Sequence, residues 1–168
     1  MYKRQPSALF LNGEYWGIHN IREKFDTRYF SENFNVNPDN LDHLEYTTTQ
    51  NGTEMKVVEG TLDHYSTMID YIMNNDLNNA ATYNEIQQRM NVDSFIDHII
   101  MTIYCANTSW GHNREWWRPR RENGKWQWLI VDLDRGFNIN NINTNLVDNL
   151  KDDYELFQYL LNLSLIHI

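Results

Sequence analysis

Cysteine is nearly absent from this sequence, basic residues are scarce, and there is neither an internal repeat nor an apolar run long enough to cross a bilayer. Each scarcity excludes something. With Cys105 alone, an internal disulfide framework and a cysteine-rich zinc site are ruled out, and its position within an apolar helical pattern predicts a buried thiol. Fourteen Lys and Arg against 23 Asp and Glu give a formal charge of −9, which argues against binding nucleic acid through general electrostatics. No membrane segment is expected in this sequence. What is present suits one domain or most of one: 41% hydrophobic and 14% aromatic residues supply a sizeable core.

The two ends have a peculiarity of their own. MYKRQ can be written in codons as GTG TAT AAG AGA CAG, and LSLIHI as CTG TCT CTT ATA CAC ATC, whose opposite strand contains the first string. One inverted DNA tag at both ends would do this, and the tag resembles the transposase end sequence used in preparing sequencing libraries. Residues 1–5 and 163–168 are therefore expected to be non-native and tag-derived, leaving residues 6–162 as a partial domain truncated at both ends. Setting aside Lys3 and Arg4 moves the formal charge from −9 to −11.

Apolar residues flank Asn12-Gly13, a dipeptide that tolerates the positive φ angles of a type I′ turn, so Ala8–Leu11 and Glu14–Arg22 are predicted to pair as a hairpin. A short helix is expected near Thr27, then a loop around Pro38 and its neighbouring Asn and Asp residues. Leu62, Tyr65, Met68, Ile69, Ile72 and Met73 follow helical spacing. Thr82 and Glu85 have capping-box spacing before a helix running to about Met90. Val92, Phe95, Ile96, Ile99, Ile100 and Ile103 form a wide stripe on the predicted central core helix, with Asp93 placed to cap it. A second hairpin is read in EWWRPRRENGKWQWLIVDLD, with ENGK as its turn. The residues after it read as a tail, Asn138–Asn145 being polar and flexible.

The end of that hairpin raises the chemical question. LIVDLDRGF drives two carboxylates into the end of an apolar strand, and by alternation Asp132 and Asp134 share one face of it. Carboxylates held so close repel unless a cation lies between them. A divalent metal resolves the conflict, and carboxylate oxygen is the ligand Mg²⁺ prefers. The alternative is a solvated loop whose acids pair with Arg135 or another arginine. Upstream, CANTSWGHNREWWRPR gathers Asn107, Ser109, His112 and Asn113 at the exit of the core helix. An asparagine before a strand-end aspartate parallels the metal-sharing Asn and Asp of kinases, and Asn113 is the candidate, against an ordinary cap or turn role. His112 is weighed as a general base or metal ligand against a plain loop histidine.

LFLNGEYWGIHNIREKFDTRYF, VNPDNLDHLE, VDSFIDHIIMTIYCANTSW, HNREWW and GKWQWLIVDLDRGF together resemble the CotH family, the spore-coat-type atypical protein kinases. The likeness runs in order over nearly all of residues 8–137, with NGEYWG and VDLD its specific parts. It implies an α+β, divergent protein-kinase-like fold of antiparallel hairpins packed on a central helix bundle. It also implies ATP and Mg²⁺ or Mn²⁺ as cofactors, and a protein substrate with Ser or Thr hydroxyls at the extracellular, cell or spore surface. In its terms Asp132 and Asp134 hold the metal with Asn113, Asp132 and Asn113 are catalytic, and Glu23 of IREK matches an acidic position with a structural or nucleotide-site role.

Two departures from the family stand out. Asn107-Thr108-Ser109-Trp110 replaces the usual Asn-x-Asp-Trp, whose aspartate would be the acid or base, and Ser109 cannot accept a proton as a carboxylate does. The second is a loss expected from truncation: the phosphate-contacting lysine that the family has upstream of NGEYWG is not in this piece, and Lys24 lies beyond the hairpin. The missing aspartate allows a second reading, a catalytically impaired, pseudokinase-like surface or coat binding module, and a metal-dependent hydrolase using Asp132, Asp134 and His112 is a third.

Other features admit two readings each. The six tryptophans suit a stacking surface or a packed core. Arg114, Arg118, Arg120 and Arg121 interleave with Trp116 and Trp117, so Arg118 is a candidate nucleotide contact or a member of a solvated strand paired with acids. Asn35, Asn37, Asp39 and Asp42 have a calcium-loop composition without EF-hand spacing, which favours a plain connection. Asn51-Gly52-Thr53 fits the common glycosylation pattern.

Overall fold

The structure, a computed structural model, describes residues 4–50, 52–141 and 143–161. Of the stretches expected to be tag-derived, residues 1–3 and 163–168 lie outside the described residues, as does Asn51 of the glycosylation pattern. The chain divides into two units, residues 1–39 and 40–168.

The first unit is the predicted hairpin followed by the predicted helix. Strands β1 (Arg4–Leu11) and β2 (Glu14–Arg22) pair antiparallel, and the turn holds Asn12 and Gly13 at φ of 50° and 84°, the two positive values of a type I′ turn. The register slips between Leu9 and Phe10, so that Leu9 faces Gly17 and Phe10 faces Tyr15. This bulge needs φ of 107° at Gly17, a value that a side chain would strain. Helix α1 (Thr27–Phe34) starts where the Asp26 carboxylate accepts the Tyr29 amide at 3.0 Å. Its Phe30 is fully buried, whereas Phe10, Tyr15, Trp16, Ile18 and Ile21 of the hairpin are exposed.

The second unit contains the expected helices and second hairpin, together with a strand pair where a loop was predicted. Strands β3 (Leu41–Thr49) and β4 (Gly52–Glu59) join β5 (Arg114–Pro119) and β6 (Gln127–Leu129) in an antiparallel sheet of order β4-β3-β5-β6. Across β3, Asp42 is buried and accepts Arg118 Nε at 2.8 Å and the Thr61 amide at 2.9 Å. Helices α2 (Asp63–Asn74), α3 (Ala80–Arg89) and α4 (Val92–Tyr104) follow. The asparagines cap them, not the predicted residues: Asn79 accepts Ala81 N and Asn91 accepts Ser94 N, leaving Thr82 and Asp93 inside the first turns. The tail is also helical, as α5 (Leu146–Asp153) and α6 (Glu155–Leu161).

Mixed helices and antiparallel sheets make the α+β class expected. The core lies between sheet and helices, where the Tyr65 ring sits 5.1 Å from Trp116 and 5.4 Å from Trp126, and Phe95 sits 5.0 Å from Trp128. Trp110, Trp116, Trp117, Trp126 and Trp128 are all buried, which favours the packing reading of the tryptophans. The stripe on α4 is narrower than predicted: Phe95 and Ile99 are buried, but Ile96 and Ile100 are 38% and 54% exposed.

Candidate active site

The site grows from the way α4 ends. Its last turn closes with Asn107 N donating to Thr102 O at 3.1 Å and Ala106 N to Ile103 O at 3.0 Å, the two bonds of a Schellman motif. Ala106 takes the left-handed position at φ 49°, usually given to glycine. That reversal turns Asn107 inward, where it is 2% exposed. A buried amide must find partners. Asn107 Nδ2 donates to the Asp132 carbonyl at 3.3 Å, and its Oδ1 accepts Ser109 N at 3.2 Å and Ser109 Oγ at 2.9 Å. Ser109 precedes a single 3-10 turn, Trp110–His112, beyond which Asn113 Nδ2 donates to Ser109 Oγ at 3.2 Å. Helix exit, turn and acidic loop thus share one polar chain.

The loop itself is set by the end of β6. His98 of α4 is 4% exposed, and its Nδ1 lies 3.1 Å from the Leu129 carbonyl, so that nitrogen carries the donated proton. Burial lowers the His98 pKa to about 4; the bond to Leu129 opposes this and the Arg114 charge adds to it. The imidazole is neutral at pH 7. Val131 is still buried, but Asp132 adopts φ of 44° and is exposed. A turn closes from Gly136 N to Leu133 O at 2.9 Å, and Phe137 N reaches Cys105 O at 2.6 Å. This turn seats Gly136 against the end of α4, where an added Cβ would lie 3.0 Å from Cys105 Cβ. Cys105 is buried as expected, and desolvation raises its thiol pKa.

The expectation that Asp132 and Asp134 share a strand face is overturned. The strand stops at Leu129, and the left-handed backbone at Asp132 breaks the period of two on which that reading rested. The carboxylates are not forced together inside an apolar sheet; both are exposed in the loop. Among the described residues no group of three or more His, Cys, Asp or Glu side chains is placed to hold a metal ion, and neither carboxylate is engaged by a protein partner. Carboxylate oxygen is nonetheless the donor type these two residues offer, and Mg²⁺ is commonly held by one or two carboxylates with substrate phosphates and water completing its shell.

The other candidates separate. Asn113 is half-buried and joins the Asp132 segment through Ser109 and Asn107. His112 lies in the 3-10 turn, partly exposed. Glu23 belongs to the first unit, half-buried just after β2, and adds to the burial that raises the Tyr29 pKa. Arg118 is engaged at 2.8 Å with Asp42 and lies over the Trp126 ring, the acid-paired alternative of the two sequence readings, though Arg118 is half-buried and its partner Asp42 buried. Arg114, grouped by sequence with the solvated arginines, is buried beneath aromatic rings. Sequence reasoning placed Asn107 near the site without seeing that it holds the site together. The one available signal was its position three residues past the end of a strongly periodic helix.

The second unit is therefore an antiparallel-sheet and helix domain whose helix exit is bonded to an acidic loop. The profile of the family described as CotH kinase protein matches residues 2–167, and the chain belongs to that family. No curated protein and no solved structure gave a match. No helix among the described residues is long and apolar enough to cross a membrane.

Proposed function

We propose that the chain carries a CotH-like protein kinase domain, with a divergent protein-kinase-like fold, that transfers the γ-phosphoryl group of ATP to Ser or Thr hydroxyls of secreted or surface proteins. Family membership supports the reaction class. The observation that carries it to particular residues is the hydrogen-bonded run Asn113–Ser109–Asn107–Asp132, which fixes the asparagine and the acidic loop in one unit. Asp132 and Asp134, with the Asn113 amide oxygen, would hold Mg²⁺ or Mn²⁺, which neutralises charge on the triphosphate. Asn107 and Ser109 orient the segment.

In the reaction the acceptor hydroxyl oxygen bonds to the γ-phosphorus, the bond to the β,γ-bridging oxygen breaks, ADP departs, and the hydroxyl proton goes to water. Phosphoryl transfer rests mainly on positioning and charge stabilisation, so a serine in place of a carboxylate base is compatible with it. A second reading, nucleotide or partner binding without transfer, is favoured by one fact: Ser109 is buried and its Oγ is already bonded to Asn107 and Asn113.

Thermal shift with ATP and Mg²⁺ or Mn²⁺, paired with transfer of labelled phosphate to a protein acceptor, tests both. Metal-dependent stabilisation with transfer supports the kinase, and stabilisation without transfer supports the binding module. Asp132→Asn is expected to weaken metal-linked nucleotide binding by about tenfold or more, at least the scale of losing a residue that only orients a metal ligand. Unchanged affinity in that variant would count against the proposed role.

A further inference from the structure

A concavity lies within the residue 40–168 unit, where β3, β4 and β5 meet α2 and the start of α6. Its volume is about 330 Å³, at the lower end of the range for small-molecule pockets. Arg114 lines it and is 7% exposed. The guanidinium carbon sits 4.0 Å from the Tyr46 ring centre and 4.4 Å from that of Tyr154, both cavity residues, and Nε donates to the Gly111 carbonyl at 3.2 Å.

A buried guanidinium ordinarily has a counter-ion, because an uncompensated charge is costly away from water. The other strand arginine shows the rule, since Arg118 binds buried Asp42 at 2.8 Å. Among the described residues no carboxylate forms an ion pair with Arg114. Nor does its phenol neighbour supply negative charge, because burial pushes the Tyr154 pKa up to about 12. The ring faces stabilise the cation, yet aromatic quadrupoles do not neutralise it. The lining has a gradient. Arg114, Tyr65 and Tyr154 are buried, Met55 and Ile69 are half-buried, and Asp70, Asp153 and Glu155 are exposed.

We propose that this cavity binds a small zwitterion: an aliphatic amino acid whose carboxylate pairs with Arg114 at the floor and whose ammonium faces Asp70, Asp153 and Glu155 at the mouth. A simple carboxylate meets the floor but is repelled by three acids at the entrance. An amine satisfies the entrance and leaves Arg114 without a counter-charge. Phosphate and nucleotides carry more negative charge past the same acids, so the cavity is not a second nucleotide site. The apolar spacer between the two charges lies along Met55 and Ile69.

The test uses the full chain and three probes of equal length, 6-aminohexanoate, hexanoate and hexylammonium, followed by calorimetry or ligand-observed NMR at millimolar concentration. The expected result is saturable binding of 6-aminohexanoate alone. Arg114→Gln should weaken it by roughly tenfold or more, as expected for one partner of a buried charge pair. Because Arg114 is part of the packing, the exposed double variant Asp153→Asn, Glu155→Gln provides an independent reading. It should keep the fold by circular dichroism and weaken binding by roughly threefold at low salt. Hexanoate or hexylammonium binding as tightly as 6-aminohexanoate overturns the proposal, as does no binding by any probe or an unchanged affinity in the double variant. None of these readouts depends on phosphoryl transfer, so the inference fails or stands apart from the proposed kinase activity.

Discussion

Acid should loosen this protein through His98. The imidazole is buried, donates to the Leu129 carbonyl, and has a folded pKa of about 4 against an ordinary 6.5. The unfolded chain takes up this proton first, so the stabilisation is fully present above pH 6.5 and is lost as pH falls from 6.5 towards 4. Linkage over that interval amounts to about 2 kcal/mol lost by pH 5 and about 3 kcal/mol by pH 4 from this one group. Urea unfolding followed by tryptophan fluorescence suits the measurement, since five tryptophans are buried in the second unit. The comparison is with His98→Gln, whose amide can still donate to Leu129 but does not titrate. The variant starts less stable, and its stability should fall less steeply between pH 6.5 and 4, closing the gap by about 2 to 3 kcal/mol. Parallel curves for the two proteins would refute the argument.

Asp42→Ala leaves the half-buried Arg118 without its buried partner and should cost about 2–4 kcal/mol in chemical denaturation, whereas Asp42→Leu with Arg118→Met should recover much of it. At Gly60, φ is 74° and an added methyl would overlap the Asp42 carboxylate and the Leu41 carbonyl, so Gly60→Ala should lower stability by at least about 2 kcal/mol. Gly111→Ala, with nothing within 4 Å of the new methyl, should change it by less than about 0.5 kcal/mol, and calorimetric melting distinguishes the two. Asn107→Ala removes partners from the Asp132 carbonyl and Ser109, so a loss of about 1–3 kcal/mol is expected by urea titration. If nucleotide binding then weakens no more than in a stability-matched core variant, the orienting role is wrong.

Legibility followed the range of the forces involved. The first hairpin was readable because Asn12-Gly13 dictates its own backbone, and α2 and α4 because their apolar spacing is long and regular. Strands β3 and β4 were missed because Asp42 and His43 read as polar loop residues. Their burial depends on Arg118 and Glu115, more than seventy positions away, and no local pattern carries that. The helix caps were misplaced by residues that compete for the same role: Asn79 and Asn91 against Thr82 and Asp93. At the candidate site, residue types were legible and geometry was not. Alternation extrapolates a strand past Leu129, but the chain leaves the sheet once β6 has paired with β5 and turns back onto α4.

The seating of Gly136 on Cys105 gives the acidic loop a built-in latch and a chemical clock. The thiol itself is buried, so the rate at which it is labelled in the native protein reports how often the end of α4 opens to solvent, in a chain with no other cysteine to confuse the signal.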